Sequence, residues 1–213
     1  MRVFAASAAL TTLLACAGLA QAAFRASVKV ISADVRAHMV GSSWHRGCPV
    51  ALRDLRLVTV TFHRFDGTDH LGRLVVHRRQ SPHMVAAMHK IYDAGFRIRR
   101  MRLVDAYGAN DDRSMRHNNT SAFNCRVVAG TTSWSMHAYG RAIDINPVQN
   151  PYVSGSHVSP AAGAPYADRD QWRRGMIHGG DAVVRAFSSV GWGWAGYWAG
   201  STKDYQHFST NGH

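Results

Sequence analysis

Acidic residues are scarce in this chain: 13 Asp and Glu stand against 25 Lys and Arg, which leaves a formal charge of +12 and a pI near 10.5. A surface so short of carboxylates seeks polyanions. Cysteine is scarcer still, three in all, and none has a second cysteine close by in the chain, which argues against a cysteine-based metal site. After residue 23 no apolar run approaches the roughly 20 residues a membrane-crossing helix needs, so no transmembrane segment is expected in the mature chain. Internal repeats and low-complexity tracts are lacking too, and four of the six prolines are confined to residues 146–180.

The first residues supply the one long apolar stretch. Met1 and Arg2 precede an Ala- and Leu-rich run from Val3 to Leu19, closed by Ala20-Gln21-Ala22, which is the pattern of a secretory signal peptide cut after Ala22. Leu13-Leu14-Ala15-Cys16 is a looser match to a lipoprotein box and is the less favoured reading. With residues 1–22 set aside, about 190 remain, a length that suits one core and not two. Cys48 and Cys125 are then the only cysteines, and an even pair in an exported chain is most simply a disulfide. Closing so long a loop stabilises a fold by about 4 kcal/mol in the chain-entropy model. Export also redirects the basic surface, from nucleic acid toward the carboxylates and phosphates of a cell envelope; solubility alone is an equally good reason for the charge.

Residues 23–47 have no sustained period and read as an N-terminal arm, with residues 48–213 as a single domain. Leu57 to Phe62 has strand composition, Asp66-Gly67 supplies a turn, and Leu71 to Val76 returns, which makes a hairpin. Ser81-Pro82 starts a helix whose apolar positions (Met84, Val85, Met88, Ile91, Tyr92) recur at helical spacing until Gly95. Residues 96–104 alternate like a further strand, Tyr107 to Thr120 reads as a long exposed loop, and residues 146–180 as mostly loop. A helix over Asp181 to Val190 and short strands at Trp192-Gly193-Trp194 and Tyr205 to Phe208 complete an α+β reading.

Two segments carry chemistry: Ser135-Met136-His137-Ala138-Tyr139-Gly140-Arg141-Ala142-Ile143-Asp144, and Lys203-Asp204-Tyr205-Gln206-His207. Hydrolytic zinc takes three protein ligands from His and Asp or Glu and leaves a fourth position for water, and His137, Asp144 and His207 could fill the three. A straight strand would separate His137 from Asp144 by roughly 23 Å, so the backbone must bend, and Gly140 permits it. Asp204 and His207 would face opposite sides of a flat strand, so a turn or bulge must bring them to one cavity, where Asp204 would act as general base. Each motif alone competes with a plain explanation, because the chain holds thirteen histidines. His63, His77 and His89, in strand and helix patterns, read as core histidines, and His157 and His178 as surface ones ahead of a contact with substrate. Trp192 and Trp194 read as packing ahead of an aromatic wall, and Ser135 as a neighbour of the metal site ahead of a nucleophile.

Ser-x-His, six further residues and Asp, with Gly140 and Ala142 between, followed by a late Asp-x-x-His, resembles the signature of the VanY-type zinc D-alanyl-D-alanine carboxypeptidases. Relatives of that family include VanX-type dipeptidases, phage endolysin peptidases and the Hedgehog domain, which is no peptidase. The likeness runs from about Cys48 to Phe208, and Ser121-Ala122-Phe123-Asn124-Cys125-Arg126 is similar to one bacterial subgroup. It implies a central antiparallel sheet flanked by helices, one zinc ion on His137, Asp144 and His207, and Asp204 as base. It also implies an upstream arginine that steadies the oxyanion, for which Arg126 is the candidate, with Ser135 and Asn124 behind the site or near substrate. Met136 departs from the subgroup, where an acidic residue is common.

The resulting expectation is an exported, monomeric zinc peptidase acting on peptidoglycan stem peptides at D-Ala-D-Ala, with anionic envelope polymers as further partners and no nucleic acid. An endopeptidase acting at L-Ala-D-Glu or at a cross-link is the alternative within the same chemistry. A zinc-containing wall-binding module without catalysis is the alternative outside it.

Overall fold

A computed structural model describes residues 23–213. The signal peptide and the alternative at Cys16 lie outside the described residues. Alternation in the hairpin decides where the core forms. Strand β2 (Leu55–His63) pairs antiparallel with β3 (Asp69–His77) in unbroken register from Leu55 opposite His77 to His63 opposite Asp69. Asp66 Oδ1 accepts from the Thr68 amide at 3.0 Å and Gly67 takes a positive φ of 89°, which closes the turn.

Val58, Val60, Phe62, Leu74 and Val76 face one side and Leu55 and Val75 the other, so the sheet is buried on both faces. Helix α2 (Ser81–Asp93), with Pro82 in its first turn, lays Met84, Met88 and Ile91 on the first side. The expected hairpin and helix are therefore both present. Helix α4 (Ala182–Ser188), whose N-cap Asp181 accepts from Val184 N at 2.9 Å, packs beside α2 and adds Val183 and Phe187 to that core.

The N-terminal arm contributes more than a lead-in. Residues Ala26–Val30 form β1, which extends the sheet in the order β1-β2-β3, and Ala33–Met39 form helix α1, capped by Ser32. The apolar and polar residues of β1 alternate over only five positions, too few to show a sustained period, and four of the five are exposed, as suits an edge. Met39 at the end of α1 is fully buried in the second core, beside Phe123 and Cys125.

Two other expectations are corrected. Residues 96–104 make only isolated bridges, His63 to Arg97 and Met101 to Thr120. Ile98 and Met101 are nonetheless buried, so the alternation reported burial without a ladder. The stretch from Tyr107 to Thr120 holds helix α3 (Asp111–Arg116), started by Asn110, whose side chain accepts from Arg113 N at 2.8 Å. Residues 146–180 are mostly loop as expected, and within them Tyr152–Ser154 (β5) pairs with His157–Ser159 (β6) in a small hairpin.

Two further three-stranded sheets finish the fold, which is α+β with antiparallel pairing in each sheet. In one, β4 (Ala142–Asp144) and β7 (Gly193–Trp194) flank β9 (His207–Ser209). In the other, β6 and β8 (Lys203–Asp204) flank β5. Cys48 and Cys125 are bonded, and the link ties the segment after α1 to the start of the site across 77 residues. Among the described residues no helix is long and apolar enough to cross a membrane.

Reducing that bond, or replacing both cysteines by serine, removes the restriction on the unfolded chain. We expect a loss of up to about 4 kcal/mol in unfolding free energy. Urea melts with and without reductant check this.

Candidate metal centre

His137 sits in a tight 3-10 turn, Met136–Tyr139, that begins at Ser135, whose Oγ accepts the His137 amide at 3.2 Å. Ser135 therefore supports the turn, in keeping with its reading as a neighbour of the site. Gly140 ends the turn at φ 63°, and a Cβ there would lie 2.5 Å from the His77 amide nitrogen. Only glycine fits both the left-handed backbone and the close approach. The chain then reverses into β4, whose Ala142, Ile143 and Asp144 are all buried, so the expected bend and entry into the core are both present.

Asp144 lies directly opposite His207 across the β4–β9 pair. His207 Nδ1 is 3.0 Å from Asp144 Oδ1, His137 Nε2 is 3.1 Å from Asp144 Oδ2, and the two imidazole nitrogens are 3.2 Å apart. The three residues are 3 to 7 % exposed, and one donor atom from each lies within 4.8 Å of the others, as holding a metal ion requires.

The outward sides of the rings test whether a cation suits them. His137 Nδ1 meets the carbonyl oxygen of Ala122, and His207 Nε2 meets that of His213 at 3.2 Å. A carbonyl can only accept, so each ring donates outward. The nitrogens that face inward are then lone pairs in the neutral rings, aimed at each other and at a carboxylate. That is the arrangement in which histidine ligates metal, its other N–H fixed by a backbone carbonyl. The donor set of two nitrogens and one carboxylate is of the kind zinc takes in hydrolases.

A second set of metal-binding residue types, His45, Cys48 and Cys125, lies together as well. Its two sulfurs are joined to each other and are not available as thiolate ligands.

Asp204 ends β8 opposite Tyr152 of β5, and the two residues Tyr205 and Gln206 carry the chain from there into β9. This is the expected turn, though it also passes from one sheet to another. Asp204 is half-buried as a residue, but its Oδ1 is sealed from solvent and has no hydrogen-bond partner. Burial, followed by the nearby Asp144 charge, pushes its carboxyl up to about 6 against the pull of His207. Asp144 goes the other way: burial opposes ionisation, but His137 and His207 overcome it and hold the carboxyl far below the usual range. His207 likewise keeps its proton more firmly than a free imidazole, because Asp144 outweighs burial.

Arg126 is held at 2.8 Å by Asp111 of α3, and its Nε is buried without a partner. Asn124 is buried; its amide nitrogen donates to the His137 carbonyl at 3.3 Å and its side chain to the Ala109 carbonyl at 3.2 Å. Trp192 and Trp194 are packed in the core, and the exposed large aromatics are instead Trp172 and Tyr197. His63 is buried against Asp69 and Tyr92, a core histidine as expected. His178 is buried as well, stacked on Trp172 at 3.7 Å, and so differs from its surface reading.

Sequence reasoning passed over Arg169. Its guanidinium lies 4.3 Å above the Tyr205 ring and donates to the Gln149, Tyr166 and Ile177 carbonyls, with burial drawing its pKa down to about 10. It thus braces the turn between Asp204 and His207 from the proline-rich loop. A lone Arg-Asp within that loop carries no signal of this.

Residues 129–210 match the family model of the D-alanyl-D-alanine carboxypeptidases. The match is to the same VanY-like family that the motifs resemble. It contains His137, Asp144, Asp204 and His207, but it covers well under half of the chain and begins after Cys125 and Arg126. No curated protein and no solved structure matches the chain.

Within the matched segment Gly140→Ala imposes a left-handed alanine and a clash with backbone. We expect a cost of about 1–3 kcal/mol in stability. His137→Ala deletes one of the three clustered donor atoms and should instead abolish whatever zinc uptake the unsubstituted chain shows. Urea melts and equilibrium dialysis against zinc separate the two outcomes.

Proposed function

We propose that the chain is an exported metallopeptidase that hydrolyses peptidoglycan stem peptides, at the terminal D-Ala-D-Ala bond. The observation that carries this reading is the meeting of His137, Asp144 and His207 beside a carboxylate, Asp204, that has a free buried oxygen. His137, Asp144 and His207 would hold one zinc ion. Bound there, such a cation lowers the pKa of water toward 7 and polarises the scissile carbonyl.

Asp204 would take the proton of the attacking water on its unpartnered Oδ1 and pass it to the departing amine. A carboxyl poised near 6 suits both halves of that transfer. Asp144, held ionised, would stay a ligand and exchange no proton. Arg126, anchored by Asp111, would offer its unpartnered Nε to the oxyanion or to the substrate's terminal carboxylate. Ser135 and the Ala122 and His213 carbonyls keep the imidazoles turned inward, and Asn124 steadies the His137 carbonyl. The disulfide is in keeping with export.

Asp204 also favours catalysis over a purely structural metal site, which has no use for a neighbouring base. Asp204→Ala should retain one zinc per chain and lose at least about 100-fold in turnover, the scale of a positioned acid–base group. Full activity in that variant would remove the assignment. Mass analysis of digested pentapeptide muropeptides tests the bond: free D-Ala marks the carboxypeptidase, whereas a cut at L-Ala-D-Glu or at a cross-link would replace it with the endopeptidase.

A further inference from the structure

A cavity of about 730 Å³ opens between α1, the exposed side of β3 and the chain from Arg99 to Ala106, and it includes none of the metal-centre residues. Its walls hold five arginines: Arg64, Arg73, Arg99, Arg100 and Arg102. His38 and His70 also line it, and the carboxylates there are Asp34 and Asp105. Asp105 is already occupied, accepting from the Ser43 amide at 3.2 Å and from its hydroxyl at 3.0 Å.

The sequence builds this wall by anchoring its backbone, while Arg100 also donates to the His117 carbonyl at 2.8 Å and Arg99 lies 6.0 Å from the centre of the Phe65 ring. Met101 is 4 % exposed and rests on Gly72 of β3, where a Cβ would come within 2.3 Å of its sulfur. The Arg99 amide donates to Asn146 Oδ1 at 2.9 Å, and Asn119 receives the Arg102 amide at 2.9 Å and returns a bond to its carbonyl at 3.0 Å. Among the described residues Arg73, Arg99, Arg100 and Arg102 enter no ion pair, and Arg64 meets Asp66 only at 3.7 Å.

Like charges gathered in one concave space raise the local potential and concentrate counter-anions. Guanidinium forks match phosphate oxygens in bidentate geometry. Nucleic acid is the poorer fit, because sites for single strands add aromatic faces for the bases, and Phe62 in this wall is only 5 % exposed.

We infer that this cavity binds a phosphodiester-bearing polyanion of the cell envelope and so holds the enzyme at the wall. The envelope source rests on the export and wall-peptide reading above; the phosphate chemistry does not. The test is fluorescence anisotropy of labelled poly(glycerol phosphate) with the full chain, at low and raised salt. The triple variant Arg73→Gln/Arg99→Gln/Arg102→Gln should weaken binding at least about tenfold and flatten its salt dependence. The exposed triple Arg46→Gln/Arg53→Gln/Arg116→Gln, with the same loss of charge, should change it less than about twofold.

Equal weakening by both triples, or no saturable binding, overturns the site. Tighter binding of a single-stranded oligonucleotide with the same number of phosphates overturns the envelope polymer as its ligand. If the cavity triple melts early, Arg73→Gln alone serves, with about threefold expected. Binding is read without turnover, so a chain inactive on muropeptides would strike the peptidase reading and leave this one standing.

Discussion

The nitrogens of His137 and His207 that face each other across 3.2 Å set the terms for the rest of the site. Both rings donate outward to carbonyls, so each is either neutral with a bare inward lone pair or doubly protonated. Two bare lone pairs beside the Asp144 carboxylate crowd negative potential into a buried space. Two imidazolium rings would instead set positive N–H groups against each other, and a single imidazolium at His207 has one inward N–H to share between Asp144 and the His137 lone pair. One divalent cation among the three satisfies every inward atom at once, and the supporting structure is arranged around that point. Ser135 fixes the turn bearing His137, Gly140 reverses the chain, and the β4–β9 register sets Asp144 opposite His207.

Two aspartates then differ in role because they differ in company. Asp144 is enclosed by both imidazoles and stays ionised despite burial, whereas Asp204 is buried with one oxygen unpaired and feels Asp144 as a like charge. Environments that drive two carboxyls apart in pKa divide ligand from proton carrier. The division has a topological basis: Asp144 and His207 share one sheet, while Asp204 belongs to the sheet of β5 and β6. Tyr205 and Gln206 span the gap, and Arg169 over the Tyr205 ring keeps that short span in place.

The parts legible in the sequence were those with a local cause. The β2–β3 hairpin has its turn residues, α2 has Ser81-Pro82 and a clear apolar stripe, and the demand for a bend between two ligands singled out Gly140. The hidden parts take their form from partners distant in the chain. β1 alternates over only five residues, Ala26-Ser27-Val28-Lys29-Val30, and β5 and β6 are three residues each, all too short for a sustained period. Met101 alternates like a strand residue because it is buried on Gly72, not because it belongs to a ladder. The carbonyls of Ala122 and His213 orient the imidazoles through the backbone, which no side-chain motif records.

The family-matched segment, residues 129–210, carries every proposed ligand, yet much of what fixes their geometry comes from before it. Ala122 supplies the acceptor for His137, the Ser121 and Asp144 backbones exchange hydrogen bonds of 3.1 and 2.9 Å, and the His77 amide donates to the Gly140 carbonyl at 2.9 Å. Phe123, beside them, is tied to Val75 of β3 at 3.0 Å, and Cys125 to Cys48. The first sheet and the disulfide therefore act as a frame that presses residues 120–125 against the metal centre. Donor atoms placed by the matched segment alone would have the right identity without the outward acceptors that turn their lone pairs toward one point.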